Sequence, residues 1–114
     1  ESPFVEQMMV VGAEQKFVGA LIVPSIQNIK EWMQHKGITF TTPEDAINNP
    51  KILGMYKELI DSFNQSFNHV EQVKKFELLP NEWTIDSGEL TPTLKLKRKV
   101  IMEKYKDAVE RIYS

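Results

Sequence analysis

Lys95, Lys97, Arg98 and Lys99 put four cations into five residues, directly after Gly88-Glu89-Leu90-Thr91-Pro92-Thr93-Leu94. Ammonium and guanidinium groups at this density suit an anion such as a phosphate or a carboxylate. Pro92 fixes its own backbone and pushes Thr91 toward extended geometry. If residues 91–95 are extended, Thr91, Thr93 and Lys95 point to one side, which sets two hydroxyls and an ammonium on one face. A solvated basic surface is the competing reading of the same residues. The helical pattern that follows opens on Lys97, Arg98 and Lys99. Cations at a helix start are unfavourable by roughly 0.3–1 kcal/mol each when exposed. A local rule broken in this way tends to mark a site or a partner.

Other chemistry is easier to exclude. The chain has no cysteine, so disulfides, thiolate zinc sites and cysteine nucleophiles are out. His35 and His69 lack ligand-like neighbours at metal spacing, so surface roles and no metal are expected. Net charge is −2, yet residues 95–114 carry seven Lys/Arg against three Asp/Glu. The basic character therefore sits behind the 88–99 motif. No apolar run is long enough to span a bilayer, and no signal peptide is visible. The first residue is Glu1 rather than Met, and we expect a piece of a longer protein.

The elements that must position the motif can be read from pattern. Two apolar runs, residues 5–11 and 17–23, joined by Gly12-Ala13-Glu14-Gln15-Lys16, predict an antiparallel hairpin with at least one strand covered on both faces. Ser25 caps a helix carrying Ile26, Ile29 and Met33, which stops at Gly37. Thr42-Pro43-Glu44-Asp45 starts another. After Asn49-Pro50, the stripe of Ile52, Tyr56, Leu59, Ile60, Phe63 and Phe67 predicts a long amphipathic helix packed on the core. Residues 74–79 predict a third strand, followed by a loop holding Trp83 as an anchor and Asp86 as a turn former. One closing helix runs from Leu96 through Ile112. The fold expected is a single α+β domain over residues 1–114, with a three-stranded sheet (the N-terminal antiparallel hairpin plus a third strand) packed against about four helices. An exposed ion pair of Glu89 with a neighbouring lysine would contribute little.

The hairpin ending Ala20-Leu21-Ile22-Val23-Pro24, the Phe76-Glu77-Leu78-Leu79-Pro80 strand and Gly88-Glu89-Leu90-Thr91-Pro92-Thr93-Leu94-Lys95-Leu96-Lys97-Arg98 together resemble the C-terminal domain of AMP-forming acyl-CoA synthetases, and among them the long-chain fatty acid–CoA ligases. The resemblance covers residues 4–114. The terminal motif is its most specific part. The wider superfamily has Ser-Gly-Lys where this chain has Thr93-Leu94-Lys95, so the resemblance makes Lys95 the catalytic lysine, with Lys97 as the alternative register. Gly88, Glu89, Thr91, Pro92, Thr93, Lys97 and Arg98 become its supporting motif. The resemblance also implies a two-step reaction. A fatty acid carboxylate attacks the α-phosphate of Mg-ATP to give an acyl-adenylate, and the thiol of CoA then displaces AMP. In such proteins a large N-terminal adenylation domain holds ATP, Mg2+ and the acyl chain. The small domain rotates between the steps as a lid. Gly12 and Lys16, in the hairpin loop, would face CoA. The hinge motif and ATP loop of the family are not in this sequence, so the 114 residues alone should be inactive. A cytoplasmic location is expected, with peripheral membrane association left to the longer protein.

Two rival readings compete with the ligase. One is a basic module whose closing helix binds nucleic acid. Against it stand the negative overall charge and a basic run without interleaved aromatics. The other is a non-catalytic interaction domain using its hairpin edge. It leaves the Thr-Pro-Thr-Leu-Lys turn without a purpose.

Overall fold

The computed structural model describes residues 2–12 and 14–114, so Ala13 of the predicted hairpin loop lies outside the described residues. Strand β1 (Val5–Val11) runs antiparallel to β2 (Val18–Pro24), and β2 pairs in parallel with β3 (Val73–Leu78), giving the order β1-β2-β3. The crossover from β2 to β3 carries helices α1 (Ile26–His35), α2 (Pro43–Ile47) and α3 (Pro50–Asn64), followed by a single 3-10 turn. Beyond β3 the chain forms an ordered loop and then two short helices, α4 (Arg98–Lys104) and α5 (Lys106–Tyr113). This is the expected α+β domain.

Central β2 explains the nearly unbroken apolar run at residues 18–24, because a strand between two neighbours and two helical layers has no wet face. Its side chains alternate between two cores. Leu21 and Val23 join Met9, Val11, Leu79, Trp83, Leu90, Ile101, Ala108 and Ile112 on one side. Ala20 and Ile22 join Ile29, Met33, Ala46, Ile52, Tyr56, Ile60, Val73 and Leu78 on the other. Gly19 is the point of closest approach. A Cβ there would stand 2.6 Å from Ile112 Cγ2, so α5 lies directly on the β2 backbone.

The helices over the second of these cores start where capping chemistry places them. Ser25, Thr42 and Asn49 each accept a hydrogen bond from the first turn, and Pro43 and Pro50 open α2 and α3. The expected stripe of α3 is core only in its first part. Ile52, Tyr56 and Ile60 are buried, whereas Phe63 emerges near the helix end and meets Phe67, which lies in the turn beyond Asn64, with ring centroids 4.9 Å apart. The single closing helix also needs correcting. It is interrupted at Tyr105 (φ −112°, ψ 33°), where the hydroxyl of Tyr105 and the amine of Lys104 both turn toward Glu89.

Candidate functional site

Residues 91–95 do not run as an extended segment; they form a tight reversal. The Leu94 N–H donates to the Thr91 carbonyl at 2.8 Å, and the Thr91 N–H donates to the Lys95 carbonyl at 2.8 Å. This is a three-residue hairpin loop, Pro92-Thr93-Leu94, whose last residue takes the left-handed conformation such loops require. Leu94 has φ +66° and the residue is 66% exposed. An L-residue there costs about 1–2 kcal/mol. The two threonine hydroxyls are not splayed out beside Lys95 for an anion, as extended geometry would have them. Thr91 Oγ1 accepts the Lys95 N–H at 3.0 Å and lies 3.1 Å from Thr93 Oγ1.

Below the loop, the two limbs pair. Leu90 bridges Leu96, and the Lys97 N–H donates to the Glu89 carbonyl at 2.7 Å. Lys97 then becomes the N-cap of α4 without any side-chain cap, and Arg98 and Lys99 occupy the first turn. The helix that opens on cations is thus present, and seven residues long. Arg98 donates to the Val10 carbonyl of β1. Lys95 itself is exposed at the tip.

Glu89 is the largest departure from expectation. It is 1% exposed, the only buried charged side chain among the described residues. Its carboxylate accepts from the Lys104 ammonium at 2.8 Å, the Tyr105 hydroxyl at 3.1 Å, the Thr84 N–H at 3.3 Å and the Ser87 hydroxyl. Burial pushes its pKa up, but the hydrogen bonds, led by Lys104, outweigh burial and hold it at about 2. Burial, and next the Glu89 carboxylate, raise the Tyr105 phenol to about 12. Lys104 also donates to the Ser87 carbonyl at 2.8 Å. Gly88, at φ +96°, makes the turn that returns the chain to Glu89.

The loop before the hairpin is tied down by one amide. Gln7, beside an irregularity in β1 pairing, accepts from the Trp83 N–H at 2.7 Å and donates to its carbonyl at 2.9 Å. Trp83 is buried as an anchor, with its ring centroid 6.3 Å from that of Tyr105. Asp86 stays on the surface and helps line an open cavity of about 660 Å3 with Trp83, Ile85, Leu94 and Leu96. Gln7, next to Glu6 in an otherwise apolar strand, is the visible sign of this clamp. Nothing in the local spacing pointed to Lys104 and Tyr105 as partners of Glu89.

The structure therefore brings Gly88, Glu89, Thr91, Pro92, Thr93, Lys95, Lys97 and Arg98 into one unit. Gly12 and Lys16 belong to the other hairpin loop, whose flanking carbonyls, Val11 and Phe17, are held by the Tyr113 hydroxyl. Among the described residues no group of three or more metal-ligating side chains gathers, and no helix is long and apolar enough to cross a membrane. His35 and His69 are exposed.

A family model described as the AMP-binding enzyme C-terminal domain matches residues 1–114. The chain belongs to this family. Among curated relatives of the C-terminal domain, it is 35% identical over 113 residues to the long-chain-fatty-acid–CoA ligase FadD15 of Mycobacterium tuberculosis, covering 98% of this chain and 19% of that protein. It is 32% identical over 114 residues to the chloroplastic long-chain-fatty-acid–[acyl-carrier-protein] ligase AEE15 of Arabidopsis thaliana, covering 99% of this chain and 14% of that one. This C-terminal domain thus spans about a fifth or less of the relatives it matches. Its fold is also that of part of the A-PCP didomain of carboxylic acid reductase from Segniliparus rugosus, with TM-score 0.74 and 17% identity over 98% of this chain and 14% of that one.

Proposed function

We propose that this C-terminal domain serves an AMP-forming long-chain fatty acid–CoA ligase and supplies Lys95 to the adenylation step. The observation that carries the reading is the hairpin. It projects the Lys95 side chain from a short stem that pairs on either side of the Leu90–Leu96 bridge, and it places the left-handed residue immediately before that lysine. The superfamily resemblance puts glycine there, the residue that takes this conformation without strain. Lys97 is a poorer candidate, because it lies at the base of the stem as the N-cap of α4 rather than beside the loop tip.

In this reading, ATP, Mg2+, CoA and the fatty acid are bound mainly by the remainder of the ligase, and the domain's partner is that larger adenylation domain. The exposed Lys95 ammonium enters its site as the carboxylate approaches the α-phosphate. There it offsets the charge that builds on the phosphoryl oxygens and aligns the two anions, in a space dry enough for one charge to matter. The domain then turns away so that CoA reaches the acyl-adenylate, with Gly12 and Lys16 on the approaching face. A lysine carried on a moving domain also gates the reaction.

In the full-length ligase, Lys95→Ala should lower adenylation by about 100-fold or more. Thioester formation from supplied acyl-adenylate should be largely spared. Separate assays of the half-reactions check this, and equal loss of both, or no loss, refutes the assignment.

A further inference from the structure

A buried carboxylate with four donors sits one hairpin stem away from Lys95, and the proposed chemistry does not use it. Its geometry closes a ring. From Glu89 the chain climbs through Leu90 and Thr91 to the loop and descends through Lys95, Leu96 and Lys97 into α4. At the far end of α4, Lys104 and Tyr105 return to the Glu89 carboxylate at 2.8 and 3.1 Å. The helix is therefore a strut joined to the stem at both ends. At one end the joint is covalent, through Lys97, and at the other it is ionic. Thr84 and Ser87 attach the same carboxylate to the preceding turn, and Gln7 holds that turn to β1 through Trp83. At the top of the stem, Thr91 takes both backbone polar groups of Lys95, accepting its N–H on Oγ1 and donating to its carbonyl. Every step from the sheet to the Cα of Lys95 is then fixed.

We infer that Glu89 is a positioning residue for Lys95, acting through the Lys104–Tyr105 junction and the paired stem to fix where the lysine stands relative to the sheet. This rests on the function proposed above for Lys95. Energetically the arrangement makes sense, because misplacing a reacting group by about 1 Å can cost on the order of 100-fold in rate. A flexible loop could not hold that tolerance. Neutralising the carboxylate while keeping its shape should loosen the ionic joint first. The hydrogen bonds from Thr84 and Ser87 can still reach an amide oxygen, whereas the Lys104 ammonium loses its counter-charge.

The test uses the full-length ligase with Lys95→Ala as reference. Glu89→Gln is compared with wild type in fatty-acid-dependent pyrophosphate release and in CoA thioester formation from supplied acyl-adenylate. The expected result is a fall of about ten-fold in kcat for adenylation, with KM for ATP and the thioester step held within about two-fold. A parallel fall in both half-reactions, tracking the folded fraction, would make Glu89 merely structural and overturn the proposal, as would no change in either. If Glu89→Gln does not accumulate as folded protein, Lys104→Met is read in the same assays. There a selective adenylation loss of about three-fold is expected, and a non-selective effect or none overturns the proposal. If Lys95→Ala keeps adenylation, the reading of Lys95 fails and this inference falls with it. If Lys95→Ala loses adenylation and Glu89→Gln does not, only the inference falls.

Discussion

The two faces of the sheet are built by different rules. Over the α1–α3 face, each helix has a side-chain cap, and Ile29, Met33, Ile52, Tyr56 and Ile60 fill the interior at helical spacing. Over the other face, α4 and α5 have no side-chain cap, α4 opens on cations, and an irregular loop supplies Trp83 and Leu90 to the core. An ion pair to the buried Glu89 and a glutamine amide do there what caps and periodicity do opposite. Local propensity is obeyed on the face that only supports and is overridden on the face that carries the exposed lysine. That pattern is the one expected when a scaffold holds a site against its own local preferences.

Three measurements would sharpen or break this contrast. The largest effect belongs to Trp83, which is both core and loop anchor. Trp83→Ala should cost about 3–5 kcal/mol in denaturant unfolding of the domain. A loss below about 2 kcal/mol would mean that the irregular face is not held by this anchor.

Acid comes next. The folded-state pKa of Glu89, about 2, lies below its ordinary 4.5. Its stabilisation is therefore complete above about pH 4.5 and is lost as the pH falls toward 2, an amount on the order of 3 kcal/mol. Glu89→Gln should flatten that part of the stability–pH curve, while Thr42→Ala, on the opposite face, should shift the curve down by about 1 kcal/mol and keep its acid slope. Identical slopes for wild type and Glu89→Gln would remove the ionic joint from the account.

The smallest effect is at Leu94. Glycine would relieve a left-handed strain of about 1–2 kcal/mol and return about 0.5–1 kcal/mol of unfolded-state entropy. Leu94→Gly should thus raise stability by a few tenths to about 1 kcal/mol. A clear loss would show that the exposed leucine side chain contributes packing that the turn geometry does not reveal.

The same contrast governs what the sequence made legible. Ser25, Thr42-Pro43 and Asn49-Pro50 announce their helices because capping is a local hydrogen-bonding matter, and the apolar run of β2 announces a doubly covered strand. The irregular face was legible only where a motif spoke for it. The cations at the start of α4 are visible as a broken rule and Thr-Pro-Thr is visible as a turn, but its tight left-handed close is not, because Leu94 gives no sign of it. Glu89, by its local sequence, suggests only an exposed pair of little effect. Its burial depends on Lys104 and Tyr105, 15 and 16 residues further on, meeting Ser87 and Thr84 from the other direction. No short-range pattern encodes a meeting of that kind, and the kink at Tyr105 that permits it was hidden inside a continuous helical period.

Strand β1 lies at the edge of the sheet, and an open edge is a template for pairing with other chains. Here that edge is partly covered toward its C-terminal end. The Gln7 amide clamps onto the backbone of Trp83 in the manner of a neighbouring strand, Arg98 takes the Val10 carbonyl, and the Tyr113 hydroxyl reaches that of Val11. Arg98, at the base of the lysine hairpin, therefore also covers part of that edge, and a lesion that frees the hairpin would at the same moment bare it there.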